Sequence, residues 1–338
     1  MQAQESFSLS KLLQKLAPKV GAKVLLEPKW KMAGQIVFRN NRHSFFKYNV
    51  FGLNLHGSAK IARDKDNADY FMRKMGYRVV KNSKVFLSDS WADTIQSKKN
   101  RIDDAYTYAL KIGFPVVVKP NDASHGEGMF LAHNKKELYY GLREVFKITK
   151  VAIVQEYILG KDYRVVVLDN EMVSAYERIS LNIVGDGKST VLKLLKNKLK
   201  KIQKDGRSVN IDEKDPRILM NLKSLSLSFG SVLEKNQKVF ILNNANLSAG
   251  GESVDVSDTI HPFFKDLAIR LTKDMGLRLS GVDLIIDGDI SKKTDKYYIL
   301  EINASPGLNH YASMGLKQRK IVEDMYLKIL QKISIIKG

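Results

Sequence analysis

The stretch Ser280–His310 has the clearest pattern in the chain, because polar and apolar residues alternate in two runs on either side of a polar turn. Such alternation is typical of half-buried strands. We therefore predict two antiparallel strands, one in SGVDLIIDGDI and one in YYILEINASPGLNH, which pair across the turn region at Asp287–Gly288. The tail NASPGLNH combines small polar residues with a Pro-Gly turn, a composition typical of a backbone-lined pocket.

Three oxygen-bearing side chains are predicted to meet on one face of this hairpin. Side chains alternate between the two faces of a strand, so Asp283 points away from its apolar neighbours, and Glu301 and Asn303 share a face. Two carboxylates and an amide oxygen suit a hard cation such as Mg²⁺, which completes its coordination with water and phosphate oxygens. The alternative, a hairpin with its charges on a solvated face, stays open at this level, because alternation is the default for half-buried strands.

Apolar periodicity, capping residues and glycine stops predict the other elements. After an amphipathic segment at residues 9–16, helices are predicted at 64–75, 101–112, 134–148, 190–204 and 262–275 and from residue 318 onwards. Strands are predicted at 22–26, 35–38, 77–80, 114–120, 129–132, 152–155, 163–168 and 172–176. Residues 203–232 are polar and irregular, and we expect a mobile insertion or a short helical pair there.

A loop suited to covering phosphates follows the predicted strand that carries Lys119. The loop Asn121–Met129 contains Gly126 and Gly128, and glycine lets backbone N–H groups approach an anion closely. Lys119 would add a point charge to the same phosphates. Many hairpins carry glycine, so an ordinary turn stays open as an alternative. His125 is either a proton carrier, a flap residue in contact with substrate, or an exposed loop histidine.

The segment between the predicted strands at 152–155 and 163–168 has the features of a nucleoside site. Backbone groups at Glu156–Ile158 can contact an adenine edge, and Asp162 can accept hydrogen bonds from ribose hydroxyls. Lys65, at the start of a predicted helix, is by itself more typical of a solvated lysine.

Composition narrows the function classes without selecting one. The 338 residues are enough for two or three domains, and the absence of cysteine excludes disulfides and thiolate metal sites. The formal net charge of +20 permits anionic partners, among them nucleic acid, an anionic surface, nucleotide phosphates and acidic peptides. No RNA-recognition motif or zinc-finger spacing occurs, so nucleic acid is not expected as the main ligand. With no signal-peptide core and no apolar run near the length of a membrane span, we expect a soluble cytoplasmic protein without a membrane partner.

Taken together, seven segments in order resemble the ATP-grasp superfamily of carboxylate–amine ligases, most closely the ligase module of cyanophycin synthetase and of the fused bacterial glutathione synthetases. The segments are DKDNADYFMRKMGYRVV, FPVVVKPNDASHGEGM, VQEYILGKDYRVVV, RISLNIVGDGKSTV, NLSAGGESVDVSDTIHP, GVDLII and LEINASPGLNH. They cover roughly residues 60–312. The segment NLSAGGESVDVSDTIHP favours this branch over the D-alanine–D-alanine ligases, which share the other motifs.

The resemblance implies an α+β ATP-grasp fold, in which two α+β subdomains grip ATP between antiparallel sheets. It divides the chain into a short N-terminal α/β region at residues 1–62, an N-terminal ATP-grasp part with the phosphate flap at 63–155, and a C-terminal part with the Mg²⁺ site at 156–338.

The resemblance also implies ATP and Mg²⁺ as cofactors, with Mn²⁺ as an alternative metal. It implies contacts to ATP for Lys65, Lys119, His125, Gly126, Gly128, Gln155, Glu156, Tyr157, Ile158, Asp162 and Arg164. It implies catalytic roles for Arg178 and Lys119 and metal ligation by Asp283, Glu301 and Asn303. Substrate-side contacts are implied for Asn246, Ser248, Gly250, Gly251, Ser305 and Gly307.

The activity that the resemblance implies is one ATP-dependent ligation of an amino-acid or peptide carboxylate to an amine, through an acyl-phosphate. The sequence contains neither the Mur-ligase-like module of cyanophycin synthetase nor the glutamate–cysteine ligase module of the fused glutathione enzymes, so polymerisation of cyanophycin is not expected. A D-alanine–D-alanine-type or glutathione-type ligase stays open, as does a non-catalytic basic module that binds nucleotide or nucleic acid. A homo-oligomer also stays open.

Overall fold

The computed structural model describes residues 7–122, 128–205, 207 and 209–335. Within these residues the strands form one five-stranded sheet, two four-stranded sheets and a two-stranded ribbon, and the ladders are antiparallel. Helices pack on these sheets, which confirms the predicted α+β class. None of the described helices combines the length and the apolar character that a bilayer crossing requires.

The N-terminal region is an antiparallel meander covered by a helix. It consists of helix α1 (Leu9–Leu16), a 3₁₀ turn (Ala17–Val20) and strands β1 (Ala22–Leu26), β2 (Ala33–Phe38), β3 (His43–Lys47) and β4 (Val50–Phe51). The strands β1 and β2 confirm the two predicted strands, whereas the sequence pattern does not predict β3 and β4. We call residues 22–51 the N-terminal sheet.

A second four-stranded sheet, with the order β5-β8-β6-β7, carries Lys119. The region contains helices α2 (His56–Arg63), α3 (Lys65–Lys74), α4 (Asp89–Thr94), α5 (Ile102–Ile112) and α6 (Lys135–Ile148) and strands β5 (Ser83–Leu87), β6 (Val116–Pro120), β7 (Phe130–Ala132) and β8 (Val151–Glu156). In β6, Val116 and Val118 are buried in one core with residues of α5 and α6. Because side chains alternate along a strand, Lys119 points to the opposite face.

The rest of the chain forms the five-stranded sheet, with the order β13-β10-β9-β14-β15, and a separate insertion. The strands are β9 (Lys161–Leu168), β10 (Glu171–Ile179), β11 (Asn182–Val184), β12 (Lys238–Phe240), β13 (Glu252–Asp255), β14 (Leu279–Ile286) and β15 (Tyr297–Asn303). The helices are α7 (Val191–Lys204), α8 (Pro216–Ser224), α9 (Pro262–Asp274), α10 (Asn309–Ala312) and α11 (Leu316–Ile335). A ribbon of β11 and β12 packs with α7 and α8 around its own core.

The two faces of the five-stranded sheet pack against different parts of the chain, and the candidate site lies on one of them. One face shares a core with α9. On the other face, Val166, Leu168 and Leu279 join a core with the N-terminal sheet and α11. Two and four residues before Val166, the same face of β9 carries Arg164 and Asp162. On this face, one end of the sheet is apolar and buried in the core, and the other end is charged and carries Asp162 and Arg164.

The predicted strand at residues 77–80 is wrong. Val79 makes only an isolated bridge to Ile299, and the Ile299 N–H donates to the Arg78 carbonyl. The segment touches the edge strand β15 at these points and leaves it again, so no ladder forms. The region predicted as a mobile insertion or a helical pair contains, among its described residues, the single helix α8, which is capped by Asp215. The division of the chain at residues 62 and 155 stays a prediction.

Candidate active site

The predicted hairpin is confirmed, with the predicted carboxylates side by side. Asp283 in β14 lies opposite Glu301 in β15 on one side and opposite Arg164 in β9 on the other. A register shift follows Asp283, so that Leu284 pairs with Ile299. The alternation of side chains therefore brings Asp283 and Glu301 together as the sequence predicts.

Two arginines hold the Asp283 carboxylate. Asp283 is only 1% exposed, and its oxygens accept hydrogen bonds of 2.6 Å from both Nε and Nη2 of Arg164. Arg178 Nη2 lies 2.9 Å from Asp283 Oδ2. A buried carboxylate needs such partners, because an unpaired charge in a protein interior is strongly unfavourable. Burial alone would lower the pKa of Arg164, but Asp283, with Tyr176 and Glu301, keeps that pKa well above its ordinary value.

The Asp162 carboxylate also binds Arg178. Arg178 Nε donates to Asp162 Oδ1 at 2.8 Å, so the Arg178 guanidinium bridges Asp162 and Asp283. Burial raises the pKa of Asp162 to about 6, against the opposing effect of Arg178. The ribose contact implied for Asp162 stays a prediction, and the geometry gives this residue a second task, which is to orient Arg178.

Two cationic side chains lie close to the Glu301 carboxylate, one near each oxygen. Lys65 Nζ lies 3.7 Å from Glu301 Oε2, and Arg164 Nη2 lies 3.8 Å from Glu301 Oε1. The Asn303 amide donates to Glu301 Oε1 at 2.9 Å, so Asn303 is beside Glu301 as predicted. Although burial would raise the pKa of Glu301, Lys65 and Arg164 hold it below its ordinary value. Glu301 is therefore a carboxylate anion at neutral pH.

Lys65 and Lys119 come from different elements and approach the same charges. Asp64 caps α3 by accepting from the Asn67 N–H at 3.0 Å, which places Lys65 in the first helical position. The Asp66 N–H donates to the Asn121 side chain just after β6, so the start of α3 is bound to the end of that strand. Burial lowers the pKa of Lys119 to about 8, with a further contribution from Lys65 and an opposing one from Glu301.

The structure gives a packing reason for one of the predicted flap glycines. Gly128 has φ +70°, and a Cβ there would lie 2.9 Å from Ile148 Cδ1 and 3.1 Å from Pro120 Cγ. Both the backbone conformation and the space require glycine at this position. His125 and Gly126 lie outside the described residues, and the phosphate contact of Gly128 stays a prediction.

The predicted adenine hinge comprises the last two residues of β8 and the two that follow. The Glu156 carboxylate accepts hydrogen bonds from the Lys81 and Asn82 N–H groups at 3.1 and 3.3 Å and from the Asn82 side chain at 2.8 Å. This carboxylate therefore anchors the turn at Lys81–Asn82, a role that the sequence does not reveal. Gln155 is buried between β5 and β6, and Tyr157 and Ile158 are half-buried beyond it. Their adenine contacts stay predictions.

The predicted substrate loop at residues 246–251 is held by hydrogen bonds within itself and by Arg207, whose Nη2 donates to the Leu247 and Gly251 carbonyls at 3.1 and 2.6 Å. Asn246 Oδ1 accepts from the Ser248 N–H and hydroxyl at 3.1 and 3.0 Å. A Cβ on Gly251 would lie 2.8 Å from two carbonyl oxygens, those of Asn246 and Ile179. Gly250 has φ +88°, which glycine adopts without strain. These features explain the loop as a tight turn leading into β13, and its substrate contacts stay predictions.

Ser305 and Gly307 lie just beyond β15, at a contact with the N-terminal sheet. A Cβ on Gly307 would lie 3.1 Å from Asn49 Nδ2. Ser305 lines a cavity of about 1050 Å³, together with Lys65, Glu301 and Asn303. We call this cavity the N-terminal chamber, because its other walls are the N-terminal sheet and α2.

Asn54 fixes the chamber to the site and is not predicted from the sequence. Its Nδ2 donates to the Leu279 and Ala304 carbonyls at 2.8 and 2.7 Å. Its Oδ1 accepts from the Arg278 and Leu279 N–H groups at 2.7 and 3.0 Å. One side chain thus joins the segment before α2 to β14 and to the end of β15. A single asparagine before a helix has many other uses, so no local signal identifies this role.

The donor set fits Mg²⁺ in its chemistry. Within the described ranges, no three histidine, cysteine or acidic side chains converge as a metal site, so the candidate set depends on Asn303 as well as on Asp283 and Glu301. These three side chains lie on adjacent strands and offer two carboxylates and an amide oxygen, which are hard ligands. Asp283 also accepts hydrogen bonds from two arginines, and its direct ligation stays a prediction.

Comparisons with known proteins agree with this geometry. The family model described as a RimK-like ATP-grasp domain matches residues 61–215 and 239–327. A cyanophycin synthetase from Geminocystis herdmanii is 30% identical over 267 residues, which are 76% of this chain and 29% of that protein. The bifunctional glutathione biosynthesis protein GshAB from Mannheimia succiniciproducens is 33% identical over 214 residues, which are 59% of this chain and 28% of that protein. The chain therefore spans under a third of the length of these relatives.

A solved structure supports the fold. The bifunctional glutathione synthetase from Pasteurella multocida matches with a TM-score of 0.55 and 24% identity, over 94% of this chain and 44% of that one. The predicted ATP-grasp fold is confirmed by this likeness and by the family match. The matched ranges contain the strands that carry Lys119, Arg164, Asp283 and Glu301. The chain belongs to the RimK-like ATP-grasp family.

Proposed function

We propose that this chain is an ATP-dependent carboxylate–amine ligase that works through an acyl-phosphate. The observation that carries the proposal is the convergence of four cations on the charged end of the five-stranded sheet. Lys65, Arg164 and Arg178 approach Asp283 or Glu301 directly, and Lys119 is electrostatically coupled to Glu301. Phosphoryl transfer from ATP depends on such positioning and charge neutralisation more than on covalent chemistry.

The lysines of the site suit a polyphosphate. Lys65 lies beside Glu301, and burial and the charge of Lys65 both lower the pKa of Lys119, against the opposing effects of Glu301 and Asp69. A phosphate close to Lys119 would stabilise the protonated form of that lysine. Lys65 and Lys119 would bind the phosphates that are transferred and released.

Asp283, Glu301 and Asn303 would hold Mg²⁺, with Mn²⁺ as the alternative. When bound, the metal ion supplies positive charge at the phosphate oxygens. In the first step a substrate carboxylate oxygen forms a bond to the γ-phosphorus while the bond to ADP breaks. Lys65 and Lys119 would neutralise the charge that moves between the two oxygens.

Arg178 would act in both steps. Asp162 and Asp283 fix its guanidinium from two sides, so the group is oriented before substrate binds. In the second step the amine nitrogen attacks the acyl carbon, the nitrogen loses a proton, and phosphate leaves as the amide forms. Arg178 would stabilise the acyl-phosphate and the negative oxygen of the tetrahedral intermediate.

A screen of phosphate release tests the proposal. The chain is incubated with ATP and Mg²⁺ and with pairs drawn from the amino acids and dipeptides, and products are identified by mass spectrometry. We expect phosphate release with at least one pair, and a product whose mass equals the two substrates less one water. D-alanine pairs and γ-glutamyl dipeptides within the set separate the two alternative ligase types.

The matched control is Glu301→Gln, which removes one carboxylate charge and keeps the size of the side chain. We expect it to abolish product formation. Binding of ATP without phosphate release for any pair would overturn the ligase proposal and favour a non-catalytic nucleotide-binding module.

A further inference from the structure

The N-terminal chamber is built mainly from residues outside the family match. That match begins at residue 61, whereas the N-terminal sheet and most of α2 precede it. The meander, and hence most of the chamber wall, lies before the matched domain.

The chamber opens directly onto the candidate active site. Lys65, Glu301, Asn303 and Ser305 line its inner end. Asn54 bonds the neighbouring segment to β14 and β15 by four hydrogen bonds, so the wall and the site keep a fixed relation. A substrate in the chamber would therefore have one end beside Glu301.

The wall of the chamber carries apolar side chains that the fold leaves uncovered. Phe45, Leu25 and Val50 line it and are 70%, 58% and 57% exposed. Leu25 pairs with Gln35, and Gln35 pairs with Phe45, so Leu25 and Phe45 lie in one row across three strands and on one face of the sheet. Exposed apolar surface inside a concave site is typical of ligand binding.

Positive charge lies on the same wall. Lys47, Lys60 and Arg63 line the chamber, and the ion pairs of the described residues include neither Lys47 nor Lys60. The acidic residue of the outer wall, Glu27, accepts backbone hydrogen bonds within its own turn, from Lys29 N–H at 2.9 Å for example. The wall thus combines apolar contact with attraction for an anion.

We propose that the N-terminal chamber binds a short peptide substrate, with its carboxylate toward Glu301 and an apolar side chain against Phe45 and Leu25. The inference rests on the proposed ligase function and specifies its substrate class. The cavity of about 1050 Å³ supports a peptide over a single amino acid, because pockets for compact ligands of drug size span roughly 300–1,000 Å³. Lys47 and Lys60 would attract the carboxylate of the peptide as it enters the chamber.

The test uses hydroxylamine as the amine, so that only the acid has to be recognised. The intact chain is given ATP, Mg²⁺ and hydroxylamine with one of five acids: triglycine, free phenylalanine, or a tripeptide of glycine with one phenylalanine at the first, second or third position. Attack of the hydroxylamine nitrogen on the acyl carbon releases phosphate and gives a hydroxamate. We expect the best phenylalanine tripeptide to exceed both triglycine and free phenylalanine in kcat/KM by about tenfold or more.

Phe45→Ala is the diagnostic variant, because an exposed side chain can be removed without loss of core packing. We expect it to raise the KM of that tripeptide by about tenfold and to leave the KM of ATP unchanged. Val50→Ser is a second wall variant with the same expected direction. The matched control is Trp30→Ala, since Trp30 is 66% exposed on the same meander but does not line the chamber. We expect that control to change neither KM.

Calorimetric binding of the same tripeptides separates this inference from the proposed function. Tripeptide binding that weakens in Phe45→Ala, without any hydroxamate, would keep the chamber as a peptide site and count against the ligase activity, which is overturned if the screen of phosphate release also gives none for any pair. Hydroxamate formed equally well from free phenylalanine and from the tripeptides, or unchanged by Phe45→Ala and Val50→Ser, would overturn the chamber inference and leave the ligase activity in place.

Discussion

The substitution Asp283→Asn tests whether the Asp283 carboxylate stabilises the folded chain in addition to its proposed role in catalysis. The substitution keeps the size of the side chain and removes its charge. Asp283 accepts two hydrogen bonds of 2.6 Å from Arg164 and has a third contact of 2.9 Å with Arg178. An asparagine offers one oxygen to these two guanidinium groups and turns its NH₂ group, a donor, toward another donor. Arg178 would keep its bond to Asp162, whereas Arg164 would keep only its 3.8 Å contact with Glu301.

The expected loss of stability follows from this count. Removing one partner of a buried ion pair destabilises a protein by about 3–5 kcal/mol, because the other charge stays buried without compensation. Arg178 keeps its bond to Asp162, so we place Asp283→Asn near the lower end, at about 3 kcal/mol. Typical free energies of unfolding are about 5–15 kcal/mol, so this loss is a large fraction of the total.

Urea unfolding of Asp283→Asn, Glu301→Gln and the unmodified chain provides the measurement. Glu301 has ion pairs of only 3.7 and 3.8 Å, and its side chain is 28% exposed, so Glu301→Gln should shift the midpoint much less. Both variants should lose ligase activity. Adding Arg164→Met to Asp283→Asn should recover a large part of the stability, because it removes the cation that has lost two hydrogen bonds. A midpoint for Asp283→Asn equal to that of the unmodified chain would refute the reasoning.

Three further predictions concern other parts of the molecule. The pKa of Lys119 is lowered to about 8, so between about pH 8 and 10 this lysine binds fewer protons in the folded chain than in the unfolded one, and its contribution to stability should rise with pH. Lys119→Met should make the unfolding free energy rise less across that window, measured by urea unfolding, while weakening ATP binding. Asn54→Ala removes four hydrogen bonds and should lower the free energy of unfolding by about 3 kcal/mol, measured by urea unfolding beside the isosteric Asn54→Asp. Gly160→Ala should destabilise by more than about 1 kcal/mol, since φ is +153° and the added Cβ would lie 2.7 Å from the Ile286 carbonyl, whereas Gly57→Ala, with no atom within 4 Å, should not.

Local pattern is sufficient to predict the parts of the site that depend on strand alternation. The period of two places Asp283, Glu301 and Asn303 correctly, and the structure adds that Asp162 and Arg164 share one face of β9 for the same reason. Helix capping is equally local, and the predicted helix after Asn134 begins at Lys135 with the Asn134 side chain accepting from the Glu137 N–H.

The parts that could not be predicted depend on contacts between residues far apart in sequence. Glu156 anchors the turn at Lys81–Asn82, more than seventy positions away, and Asn54 bonds to strands more than two hundred positions away. Neither residue type specifies such a partner. The strand predicted at 77–80 is wrong for a related reason. Its residues have strand propensity, but a strand also needs a partner along its length, and only Val79 bridges to the sheet edge.

One hydrophobic core joins the early and late parts of the chain. Leu13, Ile36 and Phe46 are buried in the same cluster as Val322 and Ile329 of α11. During synthesis about 270 residues separate the meander from α11, which covers its apolar face in the folded chain. That face therefore stays open to non-native contacts until α11 has been synthesised, so the meander cannot complete its core by local folding alone.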